Sequence, residues 1–108
     1  MALISLSEAK EYLRVDSADE DATIGSLLLT ACTLTKEVGR ITDETWERVE
    51  AVPDDGDDAG LLQLRAICRV ASLYTLGYLF EHRDEADHQD LTLTLRALLF
   101  SVREGGLV

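Results

Sequence analysis

The stretch LLQLRAICRVASLYTLGYLFEH, residues 61–82, decides the fold, because it has the length and the composition of one long buried helix. Nearly every position between residues 66 and 80 is apolar, and the polar residues of this region share one narrow stripe, made of Arg65, Arg69, Ser72 and Thr75. A helix that is apolar nearly all round is buried on most of its sides. The stretch therefore predicts the central helix of the protein, with Gly77 as a position where a neighbouring element can approach closely.

Two helices are predicted upstream from capping boxes, in which a serine caps the first turn and a glutamate three residues later bonds back to it. Ser5 and Glu8 form the first box, before a short helix. Ser17 and Glu20 form the second box, before a long amphipathic helix that we expect to stop at Gly39. The apolar residues of this long helix recur at three- and four-residue steps: Ile24, Leu27, Leu28, Ala31, Leu34 and Val38.

A shorter helix is expected over residues 41–52, with Thr42 or Asp43 as its cap and Pro53 as its end. Its inward-facing residues would be Trp46 and Val49. The acidic loop PDDGDDAG, residues 53–60, follows and is too short to link two domains. We therefore expect a single domain over residues 1–108.

The last segment, DLTLTLRALLFSVREGGLV, admits two interpretations. Leucine and threonine alternate over residues 91–95, which is typical of a strand. As a helix capped by Asp90, the segment would present one face made of Leu91, Leu95, Leu98 and Val102, with Leu93 and Phe100 on another. We favour the helix. The fold class is then all-α, a small bundle of about four helices (a short N-terminal helix, two long helices and a C-terminal helix), with a short strand near residues 91–95 as the alternative.

Composition limits the function classes. Of the 108 residues, 46% are hydrophobic and 29% charged, a globular balance, and the net charge is −11. Such an acidic chain is a poor ligand for free DNA or RNA, because phosphate binding relies on Lys and Arg. Cys32 and Cys68 fall in helical segments and are expected to be buried thiols rather than a disulfide. With no secretory leader or membrane-spanning run in the sequence, we expect a soluble, cytoplasmic protein without a membrane partner.

The segment EHRDEADH, residues 81–88, raises the hypothesis of a metal-dependent enzyme, because it combines histidines with carboxylates. On a helix, however, His82 and His88 would diverge by about 120°, whereas zinc helices place their histidines four residues apart. The acidic loop lacks the glycine and glutamate spacing of a calcium loop. No nucleophile motif or glycine-rich phosphate loop is present. The sequence therefore predicts a solvated helix end, no metal or cofactor, and no enzymatic activity.

Surplus apolar surface near the C-terminus suggests a protein-interaction surface instead. A small domain of four short helices can cover one face of a peripheral helix but rarely covers two faces of it. The candidate interface residues are Leu93, Phe100, Leu107 and Val108. The alternative is that Leu93 and Phe100 simply fill the core.

The order of these patterns resembles the head–tail connector, or head-completion adaptor, proteins of tailed bacteriophages. SLSEAKEYLRVDSADEDATIGSLLLTACTLTKEVGR, residues 5–40, is similar to their N-terminal signature at Ser5, Ala9, Lys10, Leu13, Arg14, Val15, Asp16, Glu20, Asp21, Ile24, Leu27, Gly39 and Arg40. LYTLGYLFEHRDEA, residues 73–86, is similar to their second hallmark at Tyr78, Glu81, His82 and Arg83. The resemblance covers nearly the full chain. The chain departs from the pattern of these proteins in two places. One is the acidic loop, residues 53–60, and the other is the final segment, which lacks the proline-glycine turn expected there.

The resemblance implies a structural virion protein, located in the neck and found in the host bacterial cytoplasm during assembly. It would form a ring of about twelve copies on assembly beneath the portal, with the isolated chain either a monomer or already associated, and would join the portal protein to the next neck or tail completion protein. DNA would pass through the channel without sequence-specific contact. The alternative, from another class, is a small helical regulatory or interaction module that acts as a monomer or dimer.

Overall fold

The structure, a computed structural model, describes residues 3–82 and 89–102, and all regular structure within these ranges is helical. Five α-helices are followed by one 3₁₀ turn. They are α1 (Leu6–Leu13), α2 (Asp21–Val38), α3 (Asp43–Ala51), α4 (Ala59–Glu81), α5 (Gln89–Leu99) and the turn Phe100–Val102. The predicted all-α class is confirmed, and the short segment over 43–51 makes the fifth helix.

The strand considered for residues 91–95 is wrong, because these residues lie within α5. Leu91, Leu95 and Leu99 are four residues apart and are all buried, so the segment follows the helical repeat rather than the alternation of leucine and threonine. Asp90 lies in the first turn of α5 and does not precede it.

The two predicted capping boxes have different outcomes. The first is confirmed: the Glu8 amide donates to Ser5 Oγ and the Ser5 amide donates to Glu8 Oε1, both at 3.1 Å. The second is wrong, because Ser17 Oγ accepts from the Asp19 amide, at 3.4 Å, and the residue that precedes α2 is Glu20, which makes no side-chain capping bond to the helix. Residues 17–20 instead form a turn, and the helix begins after it at Asp21.

The left-handed residue that ends α2 is Arg40, at φ 53°, and not Gly39, which has an ordinary φ of −75°. Gly39 is required for space, since a Cβ there would lie 3.0 Å from the Thr35 carbonyl oxygen. Arg14 ends α1 in the same left-handed way, at φ 59°. Arginine thus takes the backbone conformation that glycine usually supplies.

α4 is the central helix, as the sequence predicts, and it packs against each of the other four α-helices. The hydrophobic core around it consists of buried residues from the N-terminal segment, the loop after α2 and all five helices: Leu3, Ile4, Ala9, Ile24, Ala31, Ile41, Val49, Cys68, Ala71, Leu76, Leu79, Leu91, Leu95 and Leu99. The close approach expected at Gly77 is made by the Tyr12 ring, which a Cβ would meet at 3.3 Å. The polar stripe does not face solvent throughout, because Ser72 and Thr75 are fully buried.

Two buried hydroxyl groups join α2 to α4. Ser72 Oγ donates to Thr35 Oγ1 at 3.1 Å, and Thr35 Oγ1 donates to the Ala31 carbonyl oxygen at 2.9 Å. Both side chains are fully buried. The polar residues of α4 are therefore tolerated in the core because their hydrogen bonds are satisfied there.

Thr35→Val is expected to lower the free energy of unfolding by about 1–3 kcal/mol, because the buried Ser72 hydroxyl loses its oxygen acceptor. Ser72→Ala should cost less, since Thr35 keeps its bond to Ala31. In the double variant no hydroxyl is left without a partner, so its cost should be smaller than the sum of the two single costs. Urea denaturation of the four proteins measures this coupling, and strictly additive costs would contradict it.

Candidate functional site

The outer face of α5 and the following turn is exposed and apolar. Leu93 is 53% exposed and Phe100 is 59% exposed, on the side of the helix opposite to the buried leucines. The alternative that these two residues fill the core is therefore wrong. Leu107 and Val108, the other two candidate interface residues, lie outside the described residues. A role of this face in binding stays a prediction.

The outer face of α4 is also apolar around Val70, with the Arg65–Asp54 pair and Arg69 at its edge, and the sequence pattern did not indicate it. Val70 is 60% exposed and Tyr74 is 41% exposed, and Ala66 lies in line with them one turn earlier. Between α4 and α5 this face contains a depression of about 240 Å³, lined by Ala66, Ile67, Val70 and Leu98. Every lining residue is apolar. An exposed apolar depression of this kind is typical of a binding surface.

The outer face of α2 carries no charge between Asp21 and Lys36. Leu29 projects from its middle at 71% exposure, the highest value among the large hydrophobic side chains of the described residues. The exposed residues around it are small: Ala22, Thr23, Ser26, Thr30 and Thr33. Beside Leu29 runs a groove of about 350 Å³ that Trp46 of α3 also lines. α2 thus offers a protruding leucine on an otherwise small-residue surface.

The two arginines of the α4 stripe make hydrogen bonds and ion pairs within the bundle, and these contacts stabilise the fold. Arg69 donates to the Leu3 carbonyl oxygen at 2.7 Å and to Glu8 Oε2 at 2.5 Å, and this pairing lowers the pKa of the Glu8 carboxyl. Arg65 donates to the Val49 carbonyl oxygen at 3.1 Å, and its Nε lies 3.4 Å from Asp54 Oδ1. These contacts fasten the N-terminal segment and the end of α3 onto α4.

His82 belongs to the end of α4. Its ring stacks on Tyr78, with centroids 4.1 Å apart, and Nδ1 donates to the Tyr78 carbonyl oxygen at 2.9 Å. The imidazole therefore satisfies a carbonyl at the negative end of the helix. The remaining histidine and carboxylates of the metal hypothesis, residues 84–88, lie outside the described residues.

Two carboxylates of the acidic loop, those of Asp54 and Asp58, make structural contacts. Asp58 caps α4, with Oδ1 accepting from the Leu61 amide at 2.9 Å, while its Oδ2 lies 3.8 Å from Arg48. Asp54 faces Arg65. Within residues 3–82 and 89–102, no three histidine, cysteine or carboxylate side chains are grouped as metal ligands.

Both cysteines are free thiols, as expected, but only Cys68 is fully buried and Cys32 is half-buried. Burial raises the pKa of both thiols, and that of Cys68 reaches about 12, with the charge of nearby Cys32 as a second cause. A thiol with so high a pKa is a poor nucleophile at neutral pH. Cys68 is therefore a packing residue.

One sequence signal could have revealed the α2 surface. Leu27, Leu28 and Leu29 are consecutive, and successive residues of a helix point about 100° apart, so three in a row span about 200°. A peripheral helix cannot bury so wide an arc against one core. For α4, the corresponding signal is Ser72. A serine can face the core when a hydroxyl group of another helix pairs with it, and the apolar side of α4 opposite to this serine is then exposed to solvent.

Comparison of the chain with protein-family models, curated proteins and solved structures gave no match. Among the helices that the structure describes, none combines the length and the apolar character needed to cross a bilayer. The function is therefore proposed from the exposed helix faces and the resemblance of the sequence.

Proposed function

We propose that this protein is a structural adaptor of a tailed-phage virion, which assembles as a ring between the portal and the neck or tail. The observation that carries the proposal is the exposed apolar face of α5, where Leu93 and Phe100 point away from the core. Burying such a face against a partner removes apolar surface from water, at about 25 cal/mol for each Å². In the proposed adaptor, this face contacts the portal protein.

The charge of the chain supports the same proposal. A net charge of −11 on each copy would line a ring with negative potential. DNA moving through such a channel is repelled from the wall and slides without adhering. The ordered similarity of residues 5–40 and 73–86 to connector proteins supports it independently of charge.

The proposed function is tested by mixing the purified chain with the portal protein of the same phage genome and examining the mixture by negative-stain electron microscopy and mass measurement. We expect an additional ring on one end of the portal. Leu93→Glu places a charge on the α5 face and should reduce portal binding by at least about tenfold. Complexes with one or two bound copies, and never a ring, would instead favour the small regulatory module.

The metal-dependent alternative has its own experiment. Elemental analysis of the purified protein should find no stoichiometric metal. Bound metal that disappears in a His82→Ala/His88→Ala double variant would overturn the adaptor assignment.

A further inference from the structure

Like charge restricts where two copies of this chain can meet. Each copy has a net charge of −11, so most surfaces of two copies repel each other. Three exposed helix faces within the described residues reduce this repulsion, because the helices that carry them have long stretches without acidic residues. One is the outer face of α5, acid-free from residue 91 to 102, which the proposed function assigns to the portal. The outer face of α2 has no charged residue from 22 to 35, and α4 has no acidic residue from 59 to 80 and two arginines. The uncharged α2 face of one copy can therefore approach the α4 face of another, where the acidic residue at the edge, Asp54, is paired with Arg65.

Within one copy, the α2 face and the α4 face do not meet each other. Thr35 and Ser72 contact each other, so they mark the sides on which α2 and α4 meet. Leu29 lies six residues from Thr35, which places it about 120° around α2, and Val70 lies two residues from Ser72, which places it about 160° around α4. The α2 face around Leu29 and the α4 face around Val70 are therefore both turned away from the contact between the two helices, and one copy cannot cover its own faces with each other.

We propose that Leu29 of one copy inserts into the depression lined by Ala66, Ile67, Val70 and Leu98 of a second copy. The depression, at about 240 Å³, is larger than a leucine side chain and wholly apolar. Four apolar residues around one inserted leucine reproduce the knob-into-hole contact of packed helices. The small residues beside Leu29 allow the bulkier α4 face, with Tyr74, to approach closely.

Such a contact is heterologous, because different faces of the two copies meet and each copy keeps one free face for another neighbour. Repetition of the contact produces a ring when the rotation closes. The inference rests on the proposed function in taking the second copy as the neighbour within a ring. It assigns the contact between copies to α2 and α4, and leaves the α5 face for the portal.

Two single variants and their mixture test this contact. Leu29→Glu and Val70→Glu each add one charge at an exposed position, and each should weaken self-association by at least about tenfold, measured by sedimentation velocity up to about 1 mM protein. In an equimolar mixture, the intact α4 face of the Leu29→Glu copy meets the intact Leu29 of the other copy. The mixture should form a 1:1 dimer and nothing larger.

Leu93→Glu is the matched control, since it adds the same charge at an exposed leucine outside this contact. It should leave self-association unchanged while weakening portal binding, so that a failure of the copy contact and a failure of the adaptor function are distinguishable. The proposal is overturned by a wild-type protein that stays monomeric at about 1 mM. It is also overturned by single variants that associate like the wild type, or by a mixture that stays monomeric.

Discussion

Leu95→Ala is expected to lower the free energy of unfolding by about 2–5 kcal/mol, the largest effect among the stability variants proposed. Leu95 is 1% exposed and lies between Leu91 and Leu99 on the face of α5 that packs against α2 and α4. Removing three carbon atoms there loses their burial and leaves a cavity that the surrounding helices fill only partly. Urea denaturation, with the midpoint and the slope fitted separately, gives the size of the loss.

The control for this prediction is Leu93→Ala, two residues away in the same helix. Leucine and alanine differ by the same helix propensity at both sites, so that contribution cancels in the comparison. Because Leu93 is 53% exposed, its replacement should change the free energy of unfolding by less than about 0.5 kcal/mol. Equal losses at the two sites would show that α5 does not dock in this register.

Alkylation of Cys68 at pH 8 is expected to be slower in the folded protein than in the unfolded chain by more than about a thousandfold. An unfolded thiol has a pKa of about 8.5, so about a quarter of it is thiolate at pH 8. Burial raises the pKa of Cys68 to about 12, so about one thiol in 10⁴ is thiolate at the same pH. Mass spectrometry of iodoacetamide-labelled peptides measures Cys32 and Cys68 separately, with labelling in urea as the reference.

The same shift predicts how stability depends on alkaline pH. Since the pKa of Cys68 is higher in the folded state, the folded state retains the thiol proton that the unfolded chain releases first. Its contribution to stability is complete below about pH 8.5 and is lost as the pH rises towards 12. Cys68→Ala should remove this part of the alkaline loss. An unchanged slope in that variant would contradict the shifted pKa.

Much of the secondary structure could be predicted because its signals act over a few residues. The Ser5–Glu8 box is confirmed, and so is Thr42, one of the two candidate caps of α3. The apolar spacing of α2 is also confirmed as its core-facing side, with two of its six residues buried and the other four half-buried against the core. The error in the second capping box arose where another local solution competed, since Ser17 has the right residue type for a cap but lies in a turn. For residues 91–95 the favoured helix is confirmed, and the Leu–Thr alternation is compatible with the alternative strand only until Leu99 extends the helical spacing.

The candidate surfaces were less predictable, because exposure depends on which elements pack on each side of a helix. Phe100 and Leu93 were identified as a surplus that could face inward or outward, and the sequence offered no way to choose. Val70 was not identified at all. Its exposure follows from the inward position of Ser72, whose hydroxyl group pairs with Thr35 of another helix.

The sequence by itself determined the helical class, the central position of residues 61–82 and the acidic character of the protein. These depend on composition, on spacing and on caps, which are properties of neighbouring residues. Only the tertiary structure decided which side of each long helix meets water. A hydroxyl group can be buried where a partner hydroxyl satisfies it, and an apolar side is then left exposed, because a small bundle has too few elements to cover every face of its central helix.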